Sequence, residues 1–320
     1  MPSEFDLIAR YFARPVKSVV LGIGDDCALV RPPEGLGVAI TTDMLCEGTH
    51  FFADVDPRSL GHKTLAVNLS DIAAMGAEPR WATLAIALPR VNEEWLQGFA
   101  EGFFALAERF GVELIGGDTT KGPLTLSVTL LGTYPLGHAL RRDGACVGDD
   151  LWVSGETGAA ALAVAQRRGR LSLPADALEV CARRLDWPEP RVLLGRALRS
   201  VATSAIDVSD GLVADVGHIC ERSRVDAQIA LQRVPRLPMF DAHGVDPLIA
   251  RSALLAGGDD YELAFTAAAA SRQAIEALAL RLPLRLTRIG AIVAGAGAVR
   301  VIDEDGVVVP LAAGGFDHFG

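Results

Sequence analysis

Aspartate recurs in this sequence directly after apolar runs, where side chains that bind ions and phosphates are commonly found. Four runs pass into small or hydroxyl residues and then aspartate, and a fifth segment carries aspartate in a helix-like context; they read VVLGIGDD, AITTD, LIGGDTT, SAIDVSDG and NLSDIAAMGA. Their carboxylates belong to Asp25, Asp26, Asp43, Asp118, Asp207, Asp210 and Asp71. Because ligands of α/β proteins gather at strand ends, we expect these side chains to surround one cleft.

Several carboxylates in one cleft would repel one another unless cations neutralise them. Mg²⁺ takes oxygen ligands and typically shares one or two carboxylates per ion with substrate phosphates and water. Thr41 and Thr42, which precede Asp43, offer further hydroxyl oxygens. A single aspartate near glycine is more often a helix cap or a turn residue, but five segments with one layout favour a site for magnesium and phosphate.

Two glycine pairs precede these aspartates and suit the close approach of a phosphate. The pairs are Gly22/Gly24 and Gly116/Gly117, and a residue without a Cβ lets backbone amides contact an anion. The chain has no G-x-x-x-x-G-K-[ST] sequence and no complete dinucleotide fingerprint, so a nucleotide site would be of another kind. Metal ions, arginines such as Arg142 and helix N-termini would then neutralise a triphosphate.

Other catalytic schemes lack their sequence signatures. No H-E-x-x-H, G-x-S-x-G or C-x-x-C sequence occurs, which argues against zinc hydrolases, serine hydrolases and structural zinc sites. His50 follows the AITTD segment in EGTHFF. Two interpretations of His50 stay open, a contact with substrate and a local hydrogen bond.

Composition narrows the class of protein. The 320 residues are 50% hydrophobic and 22% charged, and at roughly 150 residues per domain they predict two globular domains. A net charge of −10 repels polyanions, which argues against a general nucleic-acid binder. The start, MPSEFDLIARYF, lacks the pattern of a signal peptide, and no run of about 18 apolar residues occurs, so we expect a cytoplasmic protein without a membrane segment.

Strand-like and helix-like runs alternate, which predicts an α/β fold of the α+β type. A helix should begin after Asn92 and end at Gly111, with Phe99 and Phe103 in the core. The polar stretch GHALRRDGACVGDD separates an N-terminal domain, residues 1–137, from a C-terminal domain, residues 148–320. The predicted strands are 19–23, 38–42, 81–88, 124–134, 151–154, 204–208, 227–231 and 262–266, the other predicted helices are 159–167, 175–185 and 191–200, and a hairpin is expected around residues 305–306.

Taken together, these segments resemble the thiamine-monophosphate kinase family. The resemblance rests on EFDLIARYF, LGIGDDCAL, ITTDML-x-EG-x-HF, KTLAVNLSDIAAMGAEPRWATLAIALP, LIGGDTTKGPL, SAIDVSDGL, GGDDYEL and the terminal FDHF, in this order over essentially the whole chain. The family belongs to a superfamily of ATP-using enzymes that includes aminoimidazole ribonucleotide synthetase, selenophosphate synthetase and a hydrogenase maturation protein.

The resemblance implies that ATP, as co-substrate, phosphorylates thiamine monophosphate directly to thiamine diphosphate in the presence of several Mg²⁺ ions. It also implies a homodimer of two-domain α/β subunits, in which the mixed sheets and helices of the N-terminal domains form the interface. The resemblance implies that the metal ligands are Asp26, Thr41, Thr42, Asp43, Asp71, Asp118, Asp207 and Asp210, and that the catalytic residues among them are Asp26, Asp43, Asp71 and Asp210. It implies that ATP is contacted by Gly117, Asp118, Arg142 and Ser209. It implies that thiamine is contacted by His50, Asp259 and Phe316.

Two positions depart from the family pattern. Asp259 in GGDDYEL stands where the family usually has glutamate, so the contact to thiamine is altered or passes through water. The tail lacks the tryptophan common in relatives, and Phe316 is the aromatic residue that takes its place.

Two alternatives to the kinase interpretation stay open. One is another ATP-using enzyme of the superfamily, although selenophosphate synthesis is disfavoured because the N-terminal tail has no catalytic cysteine. The other is a nucleotide-binding regulator without turnover. The complete carboxylate set disfavours that regulator, because binding alone would rarely retain so many mutually repelling groups.

Overall fold

The computed structural model of the protein describes residues 3–238, 240, 245–310 and 315. The chain divides into two units, of which the first comprises residues 1–72 and 77–138 and the second comprises residues 73–76 and 139–320. Each unit combines one sheet with helices, so the predicted α/β fold class is confirmed.

The first unit contains a sheet with strand order β1-β4-β2-β3. Its elements, in chain order, are α1 (Glu4–Leu7), a π-helical turn (Ile8–Phe12), β1 (Leu36–Cys46), α2 (Pro57–Ala74), β2 (Glu78–Leu88), α3 (Glu93–Phe110), β3 (Glu113–Lys121) and β4 (Thr125–Pro135). Strand β4 pairs antiparallel with β1 and with β2, and β2 pairs parallel with β3, so the sheet is mixed as expected.

Helix α3 has the boundaries and the buried face that its sequence predicts. The Asn92 side chain accepts a hydrogen bond from the Trp95 N–H at 3.2 Å, and Gly111 ends the helix in the left-handed region at φ 67°. Phe99 and Phe103 are fully buried. The aromatic stripe of α3 is therefore core packing.

Helix α2 is buried on almost every side, including polar side chains such as Asn68. It crosses α3 so closely that the backbones of the two helices are in contact. A Cβ on Gly61 would lie 2.0 Å from the carbonyl oxygen of Phe99, and a Cβ on Gly102 would lie 1.8 Å from that of Arg58. Glycine on both helices therefore permits this crossing.

Three strand predictions in the first unit need correction. Residues 19–23 form isolated bridges, Leu21 with Leu29 and Ile23 with Asp25, because this glycine-containing segment turns back on itself. Asp43 and Asp118 lie inside β1 and β3 instead of following them, because both strands continue through threonine-containing sequence, which favours extended backbone.

The second unit contains a sheet with strand order β10-β7-β9-β5-β8-β6. Its strands are β5 (Asp150–Ser154), β6 (Ser204–Val208), β7 (Asp226–Ala230), β8 (Glu262–Ala267), β9 (Leu286–Val293) and β10 (Val299–Ile302), and its helices are α4 (Ala159–Arg167), α5 (Ala175–Asp186), α6 (Val192–Leu198), α7 (Leu212–Ser223), α8 (Pro247–Ala256) and α9 (Arg272–Arg281). Short 3₁₀ turns occupy Arg142–Gly144, Leu231–Arg233 and Ala269–Ser271. All described pairings are antiparallel except that of β10 with β7.

The core of the second unit lies between this sheet and α7, where Val216, Ile219 and Ile206 are 1% exposed or less. The predicted hairpin near residues 305–306 is present as a short turn, with a single antiparallel bridge between Ile302 and Val308. The loop that follows β6 therefore connects two elements, β6 and α7, that are packed against each other in the core.

Candidate active site

Two residues of α2 bind the backbone and a side chain of β1. The Thr41 hydroxyl donates a short hydrogen bond to Oδ2 of Asp71, and the Asn68 side-chain oxygen accepts from the Asp43 N–H at 3.2 Å. Residues 41 and 43 leave the same face of β1 because side chains alternate along a strand. The structure therefore brings the candidate ligands Thr41 and Asp71 into contact, with Asp43 on the same face.

Thr42 does not join this group through its side chain. Its hydroxyl lies on the opposite face of β1, 2.8 Å from the hydroxyl of Thr129 on β4. The Thr42 hydroxyl is therefore directed away from Thr41 and Asp43, and the role of Thr42 as a metal ligand stays a prediction. Strand alternation is the physical reason, because adjacent residues of a strand point to opposite faces.

A cavity of about 800 Å³ lies along β3 in the first unit. Its walls include the glycine-rich segment 22–28 and the Gly116–Asp118 segment of β3, so Asp26 and Asp118 line one space. Ile8 and Phe12 supply apolar wall. The combination of carboxylates, glycines and an apolar surface suits a nucleotide that carries a metal-bound phosphate chain.

Gly117 is a position where no other residue fits. Its φ is 150°, and a Cβ there would lie 1.9 Å from the carbonyl oxygen of Leu84 on β2. The peptide groups of residues 116–118 consequently border the cavity without an intervening side chain from residue 117. The expected contact of Gly117 with ATP stays a prediction, for which the cavity leaves room.

His50 follows β1 and is oriented by the backbone of the strand's last residue. The Cys46 N–H donates to Nδ1 of His50 at 3.0 Å. A neutral imidazole whose Nδ1 accepts a hydrogen bond carries its proton on Nε2. The local hydrogen bond, one of the two interpretations that the sequence left open, is therefore present at Nδ1, and the substrate contact stays a prediction.

In the second unit, Asp207 lies in β6, and the loop that follows this strand carries two further candidate residues, Ser209 and Asp210. Asp207 is buried at 4% exposure. Asp215 on α7 accepts hydrogen bonds from the backbone N–H groups of residues 209–211 at 3.0–3.1 Å. Burial raises the pKa of Asp215 to about 7, and the charge of Asp210 raises it as well, against the opposing effect of the three N–H donors.

The GGDDYEL segment is bound to the same loop. The Asp259 N–H donates to the Ser209 carbonyl at 2.9 Å, and the Tyr261 N–H donates to the Val208 carbonyl at 2.8 Å. Asp259 and Tyr261 both have positive φ, 67° and 51°, which is rare outside glycine. The Tyr261 hydroxyl donates to Asp259 Oδ1 at 2.9 Å, so the carboxylate of the candidate thiamine contact has a fixed orientation.

Asp260, between these two residues, turns into the protein. Both of its carboxylate oxygens accept from the Gly158 N–H at 2.9 Å, ahead of α4. Burial raises the pKa of Asp260 well above its ordinary value. Adjacent aspartates in one motif thus have different surroundings, and Asp260 acts as a structural anchor for the loop.

Two further candidates have separate positions. Arg142 lies in the exposed 3₁₀ turn that precedes β5, where its carbonyl accepts from the Ser223 hydroxyl at 2.7 Å. Phe316 lies outside the described residues.

Among the described residues, the candidate magnesium ligands come together as two separate pairs. Within the described part of the chain, no group of three His, Cys, Asp or Glu side chains lies close enough to hold a metal ion. The candidates that are in contact, or that line one cavity, are Thr41 with Asp71 and Asp26 with Asp118. All of these donors are oxygen atoms, which is the ligand type of Mg²⁺, so the residues fit this ion chemically.

Sequence reasoning missed the residues that hold the candidates in place, which are Asn68, Asp215 and Tyr261. Each binds a candidate or its loop from another element or from further along the chain. The only available signal was the polar character of Asn68 and Asp215 inside helices that are otherwise apolar at those faces.

No helix among the described residues combines the length and the apolar character that a membrane-crossing helix needs.

Comparisons with known proteins identify relatives over the length of the chain. The family AIR synthase related protein, N-terminal domain, matches residues 24–134. The thiamine-monophosphate kinase of Escherichia coli is 46% identical over 321 residues, which span 99% of this chain and 98% of that protein. A crystal structure of thiamine-monophosphate kinase from Stenotrophomonas maltophilia is 47% identical and covers 95% of both chains with a TM-score of 0.85. A structure described as AaThiL complexed with AMPPCP and TMP is 30% identical, covers 93% of this chain and 92% of its own, and has a TM-score of 0.77.

Proposed function

The chain belongs to the thiamine-monophosphate kinase family, and from this premise we propose that it transfers the γ-phosphoryl group of ATP in line to the phosphate of thiamine monophosphate, using several Mg²⁺ ions. The observation that carries the proposal is the match at 46% identity over 99% of the chain to an enzyme of that name. A relative with bound AMPPCP and TMP supports the assignment of the two substrates.

The acceptor in this reaction needs no strong base from the protein. A phosphate monoester has its second pKa near 6, so the attacking oxygen of thiamine monophosphate is already anionic at about pH 7. That oxygen forms the new bond to the γ-phosphorus, the bond to the β–γ bridging oxygen breaks, and ADP leaves. The protein's task is to hold two polyanions in line, which is mainly positioning and charge compensation.

The proposed metal ligands are Asp26, Thr41, Asp43, Asp71, Asp118, Asp207 and Asp210, with Thr42 retained only through its backbone. Bound Mg²⁺ would supply the positive charge that balances the phosphates. The chain's own contribution is to present carboxylates at fixed positions. Asn68 restrains the backbone at Asp43, and the Thr41 hydroxyl orients the Asp71 carboxylate.

The proposed substrate contacts divide between the two halves of the sequence. We assign ATP and metal binding to residues 1–137, where Gly117 and Asp118 line the cavity along β3, with Arg142 and Ser209 as further ATP contacts. Residues 148–320 contribute further metal and substrate binding. His50, Asp259 and Phe316 are the proposed contacts with thiamine monophosphate.

We also propose a homodimer formed through the sheets of the N-terminal domains. The support is an exposed strip on β1, opposite the face that carries Thr41 and Asp43, in which the apolar side chains of Ile40 and Met44 flank Thr42. Ile40 is 65% exposed and Met44 is 56% exposed on this strip. Two large apolar side chains exposed on one sheet face suit a surface that another subunit covers.

One assay tests the reaction. Purified protein is incubated with ATP, Mg²⁺ and thiamine monophosphate, and thiamine diphosphate and ADP are separated by chromatography. We expect equimolar thiamine diphosphate and ADP, and none of either product above background without Mg²⁺. ADP formed only with a different acceptor would assign the chain to another reaction of the superfamily, and nucleotide binding without turnover would overturn the enzymatic proposal.

A further inference from the structure

One carboxylate oxygen in α7 binds three consecutive backbone amides. Oδ2 of Asp215 accepts from the N–H groups of Ser209 at 3.0 Å, Asp210 at 3.1 Å and Gly211 at 3.1 Å. The side chain is buried at 2% exposure. The arrangement resembles an anion-binding nest of amides, with a carboxyl oxygen of the protein itself in the place of the anion.

The three amides belong to the loop that carries two proposed site residues, Ser209 for ATP and Asp210 for metal. The loop is also restrained on other sides. Asp259 N–H binds the Ser209 carbonyl, and Gly211 has φ 128°, with so little space that a Cβ would lie 2.8 Å from the carbonyl carbon of Ala256. Asp215 supplies the side-chain acceptor from the helix that follows the loop.

We propose that Asp215 is a positioning residue for phosphoryl transfer, which fixes the backbone of residues 209–211 so that Ser209 and Asp210 face the nucleotide and its metal ion. This inference rests on the proposed function for the roles of those two residues. Without the acceptor, three N–H groups would have to turn toward water or other oxygens, and the loop would change its course. Asp215 acts through the loop and does not itself contact the reacting atoms.

The same unit contains a matched control for a purely structural role. Oδ1 of Asp226 accepts from the N–H groups of residues 296–298 at 2.8–3.1 Å, again one oxygen on three consecutive amides. Asp226 is buried at 4% exposure. Its loop carries none of the proposed site residues. The two aspartates therefore make similar contacts, and they differ in what the bound loop carries.

The test compares Asp215→Ala with Asp226→Ala at a temperature at which both are folded by circular dichroism. We expect both variants to have lowered unfolding midpoints. Only Asp215→Ala should lose kcat/KM for ATP, by about 100-fold, which is the size of effect expected from a small misplacement of a catalytic group. An equal kinetic loss in Asp226→Ala, or a folded Asp215→Ala variant with kcat/KM within about twofold of wild type, would overturn the proposal.

A second pair of variants decides the matter if Asp215→Ala does not fold. Asp215→Asn keeps an oxygen at the same distance from the backbone, and Asp215→Glu keeps the ionisable carboxyl group but moves the oxygen by one methylene. Positioning predicts a higher kcat/KM for ATP in Asp215→Asn than in Asp215→Glu. The reverse order would indicate that the charge matters and the placement of the acceptor does not.

Binding of a nonhydrolysable ATP analogue with Mg²⁺, measured by calorimetry, separates this inference from the proposed function. We expect about tenfold weaker binding in Asp215→Ala and unchanged binding in Asp226→Ala. If wild type did not phosphorylate thiamine monophosphate but Asp215→Ala still weakened analogue binding selectively, the proposed function would fail and the positioning role would stand. Unchanged binding and unchanged turnover in Asp215→Ala would remove the positioning role alone.

Discussion

Aspartate side chains in this protein occupy environments that give the same carboxylate different properties. The Asp226 carboxylate accepts three backbone N–H bonds, from Ala298 foremost, which lower its pKa, and Arg300 lowers it further. Burial of the Asp260 carboxyl raises its pKa well above the ordinary value. Asp71 is paired with the Thr41 hydroxyl on the face of β1 that we assign to metal binding. Surroundings, not residue type, therefore decide which aspartate can hold a cation.

Asp71→Asn tests the assignment at this scale. The amide oxygen can still accept from the Thr41 hydroxyl, but it has no charge for a cation, so we expect turnover to fall by about 100-fold or more with the unfolding midpoint nearly unchanged. Steady-state kinetics over a range of Mg²⁺ concentrations checks the result. Asp56→Asn is the control, because Asp56 accepts from the Ser59 N–H at the start of the same helix and carries no proposed role. A rate within about threefold of wild type would remove Asp71 from the ligand set.

The aspartates of the candidate site could be predicted from the sequence because their signal is local. A run of apolar, glycine or threonine residues followed by aspartate can be recognised within eight letters, as in LIGGDTT for Asp118. Asn68 and Asp215 gave no such signal, because Asn68 binds a backbone amide of another element and Asp215 binds the amides of the loop that leads into its own helix. The orientation of Thr42 was missed because it depends on how far β1 continues past residue 42.

At the scale of elements, a helix can be predicted from the sequence when only one of its faces is buried. Helix α3 alternates buried and exposed faces and has Asn92 and Gly111 at its ends, so the sequence predicts it fully. Helix α2 has nearly uniform burial and therefore no amphipathic period, and the sequence does not delimit it. The bounds of α2 depend on the elements packed around it, which cannot be recognised from the local sequence.

The crossing of α2 and α3 predicts that Gly102→Ala destabilises the protein, whereas Gly217→Ala, in a helix with space around the glycine, should stabilise it. Gly102→Ala places a Cβ 1.8 Å from the Arg58 carbonyl oxygen, so the helices must separate, and we expect a loss of about 3 kcal/mol in the free energy of unfolding. Gly217→Ala in α7 has its nearest contact at 3.9 Å, from Val299, and should gain about 0.5–1 kcal/mol. Urea unfolding measures both values. A neutral Gly102→Ala would contradict the close crossing.

The turn that Asp226 binds gives a prediction about acid stability. The pKa of Asp226 in the folded state lies below its ordinary value of 3.8, so its contribution to stability is fully present above that value and disappears as the pH falls through the folded-state pKa. Asp226→Asn should therefore be less stable than wild type at neutral pH, and the difference should shrink progressively below about pH 4. Thermal unfolding between neutral pH and pH 2.5 measures this, and a difference independent of pH would contradict it.

At the scale of the whole molecule, the protein has a net charge of −10, yet two large apolar side chains of β1, Ile40 and Met44, are exposed. Ile40→Arg should convert the proposed dimer into monomers, because it places an unpaired charge in a buried contact. Light scattering after size-exclusion chromatography measures the mass. Leu280→Arg is the matched control, since Leu280 is 86% exposed on α9 in the second unit. A monomeric wild type, or a dimeric Ile40→Arg variant, would contradict the proposed interface.

The eleven residues of β1 have one further consequence. In the proposed assembly, Ile40 and Met44 of this strand meet the other subunit, while Thr41 and Asp43 on its reverse serve the reaction. Dissociation would release one side of the strand and relax the geometry of the other. Specific activity should accordingly decline when the enzyme is diluted, and recover when it is concentrated again.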